Sequence, residues 1–284
     1  MKLLITGASG MLGQDIVRMF SDANYDITAT DRNQLDITDR DAVLFFVKKE
    51  QPDVIINTAA YNFVDKVEDD DAFPIAYAVN ALGPRNLAEA AREAGSKFVH
   101  YSTDYVFSGD KPEGYVEHDQ PQPISRYGET KHAGEQFVID AGGDFYICRL
   151  SKIFGQPGAG EMCKESFVAL MLRLAAEKPE LKIVHEEVGT PGYTPDIAAT
   201  TLAIIENNLA PGIYHVVNDG PGVTWFEFAE EVFNLAGVST PRHPVTSAEF
   251  PKPAARPKFA ALQNTKLPPL RSRREALREF LSTL

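Results

Sequence analysis

Through the first half of the chain, short apolar runs alternate with longer stretches in which apolar residues recur three and four positions apart. The runs Lys2–Thr6, Asp26–Thr30, Val54–Asn57, Lys97–Tyr101 and Phe145–Arg149 have the length and composition of strands. The stretches Met11–Ser21, Arg40–Lys49, Ala72–Ala94 and Gly128–Asp140 carry the helical spacing. Strand and helix in strict alternation predict βαβ units, right-handed crossovers and a parallel sheet. Several strands are apolar on both faces, which suits a sheet covered by helices on each side. The expected fold is α/β: a doubly wound parallel sheet over residues 1–150, then a smaller, interleaved α/β lobe over 151–284. In that second part helices are expected at Glu165–Glu177 and Pro195–Asn208, a strand at Ile213–Val217 and a last helix at Arg273–Leu281. Another helix, Thr224–Ala236, opens on a Thr with Glu227 three residues later, the pattern of a capping box. The proline-rich stretch 239–271 reads as irregular chain packed across the surface.

Composition narrows the class. Apolar residues make up 44% and charged residues 24% of the 284 positions, which excludes disordered and fibrous architectures. Against 28 Lys+Arg stand 40 Asp+Glu, a net charge of −12. That balance argues against a nucleic-acid partner. An anionic small ligand would need cations concentrated locally, and eight of the 28 basic residues fall between Lys252 and Arg278. Cys148 and Cys163 form no CxxC pair and read as core thiols of a reducing compartment. There is no secretory leader pattern and no apolar run of about 20 residues, so a cytoplasmic protein without membrane contact is expected. Neither HExxH nor GxSxG occurs, so no catalytic metal and no serine elbow is expected. His185-Glu186-Glu187 reads as a solvated loop, and Asp69-Asp70-Asp71 as a helix-start cap and surface charge.

Candidate chemistry lies at strand ends. Gly7-Ala8-Ser9-Gly10-Met11-Leu12-Gly13 leaves the first strand and opens the first helix. Glycines there permit dihedrals and approach distances that a Cβ forbids, and the helix start favours a diphosphate. Asp31, 18 residues after Gly13, suits an adenosine ribose hydroxyl, whereas the adjacent Arg32 suits a 2′-phosphate, so NAD and NADP both stay open. Tyr127 and Lys131 stand four apart on one helix face, where an ammonium beside a nicotinamide ring would favour the phenolate and let Tyr127 exchange a proton near neutral pH. Ser102 and Thr103 follow a strand at the end where parallel sheets place their ligands, and either hydroxyl would orient a reacting oxygen.

These strings together resemble the extended short-chain dehydrogenase/reductase superfamily, a Rossmann-type fold, and within it the family of dTDP-4-dehydrorhamnose reductases. The resemblance rests on Gly7–Gly13, Leu35-Asp36-Ile37-Thr38, Asn57–Tyr61 with Val64–Glu68, Val79-Asn80-Ala81, His100–Phe107, Tyr127–Glu135, Gly189-Thr190-Pro191, Tyr214-His215, Thr224–Ala229 and Ala255-Arg256-Pro257. It implies reduction of the C4 ketone of a nucleotide sugar with NADPH or NADH. Tyr127 would then be the proton donor, Lys131 its electrostatic partner and a contact of the nicotinamide ribose, and Thr103 the hydroxyl aligning the ketone. Gly7, Gly10, Met11, Leu12, Gly13, Asp31, Arg32, Asp36, Ile37, Ala59, Ala60, Tyr61 and Asn80 would surround the cofactor. Asp104, Tyr105, Lys152 and Arg256 would face the sugar nucleotide, and a homodimer is the expected assembly. Where the family reads Arg-Thr-Ser-Trp-x-Tyr-Gly, this chain has Arg149-Leu150-Ser151-Lys152-Ile153-Phe154-Gly155. Lys152 is either a new sugar contact or, by preference, a solvated rim residue. Gly158–Glu165 likewise lacks the family's Gly-Asn-Asn-Phe. The change keeps a second reading open: a non-catalytic NADP-binding protein like the regulatory subunit of methionine adenosyltransferase.

Overall fold

Five of the predicted strands start where the apolar runs start: β1 (Lys2–Thr6), β2 (Asp26–Thr30), β3 (Val54–Asn57), β4 (Lys97–Thr103) and β5 (Phe145–Leu150). The computed structural model describes residues 1–160 and 163–284. With β7 (Gly212–His215) these strands form one six-stranded sheet in the order β2-β1-β3-β4-β5-β7, every pairing parallel. Strand order reverses between β1 and β3, so the carboxyl ends of these strands border a crevice, where doubly wound sheets bind ligands. β4 continues two residues past its predicted end, because Ser102 and Thr103 pair with Arg149 and Leu150. That extension carries Thr103 to the sheet's carboxyl edge.

Alternate residues of each strand feed two separate cores. Leu3, Ile5, Ile56, Val99 and Cys148 pack with α1 (Met11–Asp22) and α7 (Thr194–Glu206) on one face. Leu4, Ile55, Phe98 and Ile147 pack with α2 (Arg40–Glu50), α4 (Gly83–Ala94) and α5 (Arg126–Ala141) on the other. A third core, built on Phe154, Phe228, Phe233 and Phe280, joins α6 (Phe167–Glu177), α8 (Trp225–Ala236) and α9 (Arg273–Ser282). The α8 capping box is present, with Glu227 N–H donating to Thr224 Oγ1 at 3.1 Å and Thr224 N–H to Glu227 Oε2 at 2.8 Å.

Two departures have physical causes. The helix expected over Ala72–Ala94 is interrupted: α3 (Phe73–Tyr77) passes through a π-helical turn, Ala78–Leu82, before α4 begins. Pro84 has no N–H for the Asn80 carbonyl, and a Cβ on Gly134 of α5 would collide with that oxygen. Within the stretch expected to be irregular, β8 (Arg242–Val245) pairs with the unforeseen β6 (Leu181–Val184). Pro244 is tolerated because a two-stranded sheet consists of edges. No described helix is long and apolar enough to cross a membrane. Cys148 is a core thiol as expected; Cys163 is not, since it is half-buried with its Sγ 3.4 Å from the Ser9 carbonyl.

Candidate active site

The turn after β1 is built backbone against backbone. Gly7 sits at φ +70°, and a Cβ there would lie 2.6 Å from Ala59 N, at the exit of β3. A Cβ on Gly13 would strike the Gly7 carbonyl, and Gly10 N–H closes the turn on that same carbonyl at 3.0 Å. Met11, Leu12 and Gly13 then form the first turn of α1, with no side-chain cap and no acidic residue there. Such a turn leaves N–H groups and a positive dipole end aimed outward, as a diphosphate requires. The residues therefore fit a dinucleotide.

The flanking candidates divide. Asp31 Oδ1 accepts from Ser9 N–H (3.1 Å) and Ser9 Oγ (2.9 Å), so it braces the glycine turn. Arg32 is 77% exposed, 3.6 Å from Asp36 Oδ2, and Asp36 in turn accepts from the Thr38 backbone N–H. Both residues lie beyond the end of β2. Ile37 is buried against Gly83. Ala59, Ala60 and Tyr61 are half-buried along the path from β3. Asn80 is fully buried behind them: its side chain bonds the Tyr61 N–H, the Tyr61 carbonyl and Thr130. It shapes this path from behind rather than lining it.

Thr103, Tyr127 and Lys131 are brought together at the carboxyl edge of β4. A Cβ on Gly128 would collide with the Tyr105 carbonyl, so α5 approaches this strand end closely, and Ser125 caps the helix through Gly128 N–H. Tyr127 packs edge-on against Tyr105 with ring centroids 5.5 Å apart, and its hydroxyl makes a long 3.4 Å bond to Asn62 Oδ1. Burial, then the Asp104 carboxylate, pushes the phenol above its usual range, with the Thr103 hydroxyl pulling it back. The depression expected beside a nicotinamide ring belongs to the cofactor-bound site; in the protein alone burial outweighs any ammonium. Lys131 is 2% exposed and donates to the Tyr101 carbonyl at 2.6 Å. Burial pulls its ammonium down to about 8 against the opposing pull of Glu135.

The wall opposite runs from buried Asp104 and Ser151 to half-buried Lys152, Glu187 and Arg256. Asp104 accepts from Thr103 Oγ1 (2.9 Å) and Ser151 Oγ (2.6 Å), and burial raises its carboxyl. Lys152 is not the solvated rim residue preferred from sequence. It adopts φ +42°, donates to the Glu187 carbonyl at 2.9 Å and sits 3.4 Å from the Trp225 ring centroid. Burial lowers its ammonium to about 7 against the pull of Asp104 and Glu187. Nor is Glu187 solvated: it accepts from Trp225 Nε1 at 2.9 Å and lies 4.0 Å from Arg256 Nε. Arg256 pairs through both terminal nitrogens with Asp65, at 3.0 and 2.9 Å. Asp69, Asp70 and Asp71 are exposed as expected, without capping α3; Asp70 pairs with Arg126.

Around this wall the local cations appear. Lys164 is lowered by burial and, past the opposing Asp65, by neighbouring Arg256, Lys252 and Lys66. A cleft of about 450 Å³ continues outward between Glu186, Glu187, Phe250, Lys252, Arg256 and Lys258. Sequence reasoning missed Asn62, Ser151, Lys164, Glu187 and Trp225 as site residues; the signals available were the single Trp and the Ser after β5. Positions 161 and 162 of the divergent Gly158–Glu165 stretch lie outside the described residues. Among the described residues, no group of three or more His, Cys, Asp or Glu stands together as a metal site.

A glycine-cradled dinucleotide site beside a Thr–Tyr–Lys set defines an oxidoreductase of the short-chain dehydrogenase/reductase type. The sequence pattern described as the RmlD substrate binding domain matches residues 1–284, and the chain belongs to that family. It is 38% identical over 290 residues to dTDP-4-dehydrorhamnose reductase of Mycolicibacterium smegmatis, covering 100% of this chain and 86% of the relative. A probable dTDP-4,6-dihydroxy-2-methyloxan-3-one 4-ketoreductase of Streptomyces antibioticus is 38% identical over 286 residues, covering 98% and 94%. Among solved structures, dTDP-4-dehydrorhamnose reductase from Bacillus anthracis, in complex with NADP, superposes with a TM-score of 0.93 at 38% identity, covering 100% of this chain and 99% of that one.

Proposed function

We propose that this protein is an NADPH-dependent reductase of the C4 ketone of a nucleotide sugar, converting dTDP-4-dehydro-L-rhamnose to dTDP-L-rhamnose. The observation that carries the reading is the convergence of Thr103, Tyr127 and Lys131 between the glycine cradle and a cation-lined cleft. Residues 1–150 hold the cofactor and residues 151–284 mainly the sugar nucleotide, in a cytoplasmic enzyme of small molecules rather than nucleic acids.

When bound, NADPH supplies the hydride to the ketone carbon. Tyr127 then gives its proton to the oxygen as charge develops there, and its raised pKa keeps that proton in place beforehand. The Thr103 hydroxyl, turned from Asp104, aligns the same oxygen. Lys131 stabilises the phenolate that Tyr127 becomes and holds the nicotinamide ribose. Asp104, Tyr105 and Lys152 enclose the sugar, and Arg256 with Lys66, Lys164 and Lys252 faces the diphosphate. This placement meets the local need for cations in a chain of net charge −12.

An NADPH-oxidation assay across a panel of 4-keto nucleotide sugars tests the proposal, with dTDP-4-dehydro-L-rhamnose expected to give the highest kcat/KM. Tight NADP binding without oxidation of NADPH by any of them would contradict it and favour the regulatory reading. Arg256→Ala is expected to raise KM for the nucleotide sugar by roughly 10- to 100-fold, a charge-assisted bond's worth, with KM for NADPH unchanged. Cofactor choice follows from Asp31 being bound to Ser9 while Arg32 is exposed. Arg32→Ala is expected to raise KM for NADPH about tenfold and leave that for NADH unchanged, as separate titrations of the two would read.

A further inference from the structure

One turn beyond Lys131 on the same helix, Glu135 is completely buried and is held in a fork by Arg149. Arg149 Nε donates to Oε1 at 2.9 Å and Nη2 to Oε2 at 2.7 Å, and Arg149 itself is 1% exposed. Although burial pushes the Glu135 carboxyl up, Arg149 and His132 hold it down at about 2. It is therefore a full negative charge in the interior. A buried ammonium such as Lys131 needs a counter-charge, because an isolated one would give up its proton. Among the described residues, no carboxylate lies within ion-pairing distance of Lys131, and Glu135 is the one carboxylate acting on it from further off. The other groups facing Lys131 are Tyr127 on its own helix, and His100 and the Tyr101 carbonyl on β4. His100 is neutral, held well below 6.5 by burial and then by Lys131.

The arrangement solves a conflict. A carboxylate bonded directly to Lys131 would keep it charged but occupy its donors. With both Glu135 oxygens engaged by Arg149, the field reaches Lys131 while its hydrogen-bonding capacity, apart from the Tyr101 carbonyl, stays available. We propose that Glu135, clamped by Arg149, is a positioning residue that keeps the buried Lys131 charged without binding it. The proposal rests on the reading that Lys131 serves Tyr127.

The test is a titration of the ligand-free protein with 13C-labelled lysine, in which the Lys131 Cε resonance is identified by its loss in Lys131→Arg. The parent midpoint is expected near 8. Glu135→Gln is expected to lower it by about one unit, and Glu135→Asp to restore most of the shift. In the reductase assay that unit corresponds to roughly a fivefold loss at pH 8 and under twofold at pH 6.5. Should Glu135→Gln fail to fold because Arg149 loses its counter-charge, the pair Glu135→Gln with Arg149→Met, which leaves no buried guanidinium unpaired, is titrated instead, with a downward shift again expected but a smaller one, since a cation is lost with the anion. An unmoved midpoint, or a loss of activity equal at both pH values, would overturn the proposal. Undiminished turnover by Lys131→Met would instead contradict the underlying reading, and the two failures are thereby distinguished.

Discussion

Tyr127→Phe is expected to lower kcat for ketone reduction by about 100- to 10,000-fold while leaving the melting temperature and NADPH affinity near those of the parent. The hydroxyl removed makes a long bond to Asn62 and otherwise meets the Thr103 hydroxyl, so its loss costs the fold little. The ring, which packs on Tyr105 and belongs to the small core with Val67 and Ala76, remains. What disappears is the proton that the developing alkoxide needs. Steady-state kinetics beside a thermal melt separate the two effects: a large fall in kcat at constant stability is the expected pair. Parallel losses in both would place Tyr127 among structural residues instead.

Gly13→Ala is the second large effect, and it acts through the backbone. The added methyl meets the Gly7 carbonyl and the Ala8 backbone, so the turn must open to admit it. Strain of this kind is worth about 1–3 kcal/mol, and the displaced first turn of α1 no longer presents its N–H groups in common. KM for NADPH is expected to rise on the order of 100-fold. Affinity for the nucleotide part of the proposed substrate is expected to be kept, as binding of dTDP measured by calorimetry would read. An NADPH affinity unchanged by the methyl would remove the glycine turn from the cofactor site.

Much of the fold was legible because its signals are local. The apolar runs of β1, β3 and β5 and the capping box at Thr224 are properties of a few consecutive residues. The parallel sheet then follows from alternation alone. β6 and β8 were not legible, since their pairing joins residues some sixty positions apart and one strand contains Pro244. The site divides in the same way. Gly7–Gly13, Thr103 and the Tyr127–Lys131 pair are weak signals singly and become legible in combination, through the longer strings in which they stand. Glu187 and Trp225 acquire their meaning only when the fold sets them against Lys152 and Arg256. Lys152 was misjudged for that reason: a lone lysine in a loop reads as solvent-facing until an aromatic face and two carboxylates are seen around it. For Tyr127 the lowered pKa expected from sequence belongs to the site with a nicotinamide ring beside it, whereas in the protein alone burial raises the phenol.

The central claim, hydride delivery to C4 of a keto sugar, is tested most directly by isotope transfer. The protein is incubated with dTDP-4-dehydro-L-rhamnose and NADPH deuterated at the transferable position, and the nucleotide-sugar product is read by mass and by proton NMR. The expected result is dTDP-L-rhamnose carrying one deuterium, located at C4, formed in step with NADPH loss. Recovery of unreduced substrate, or of a product without deuterium at C4, would contradict the account.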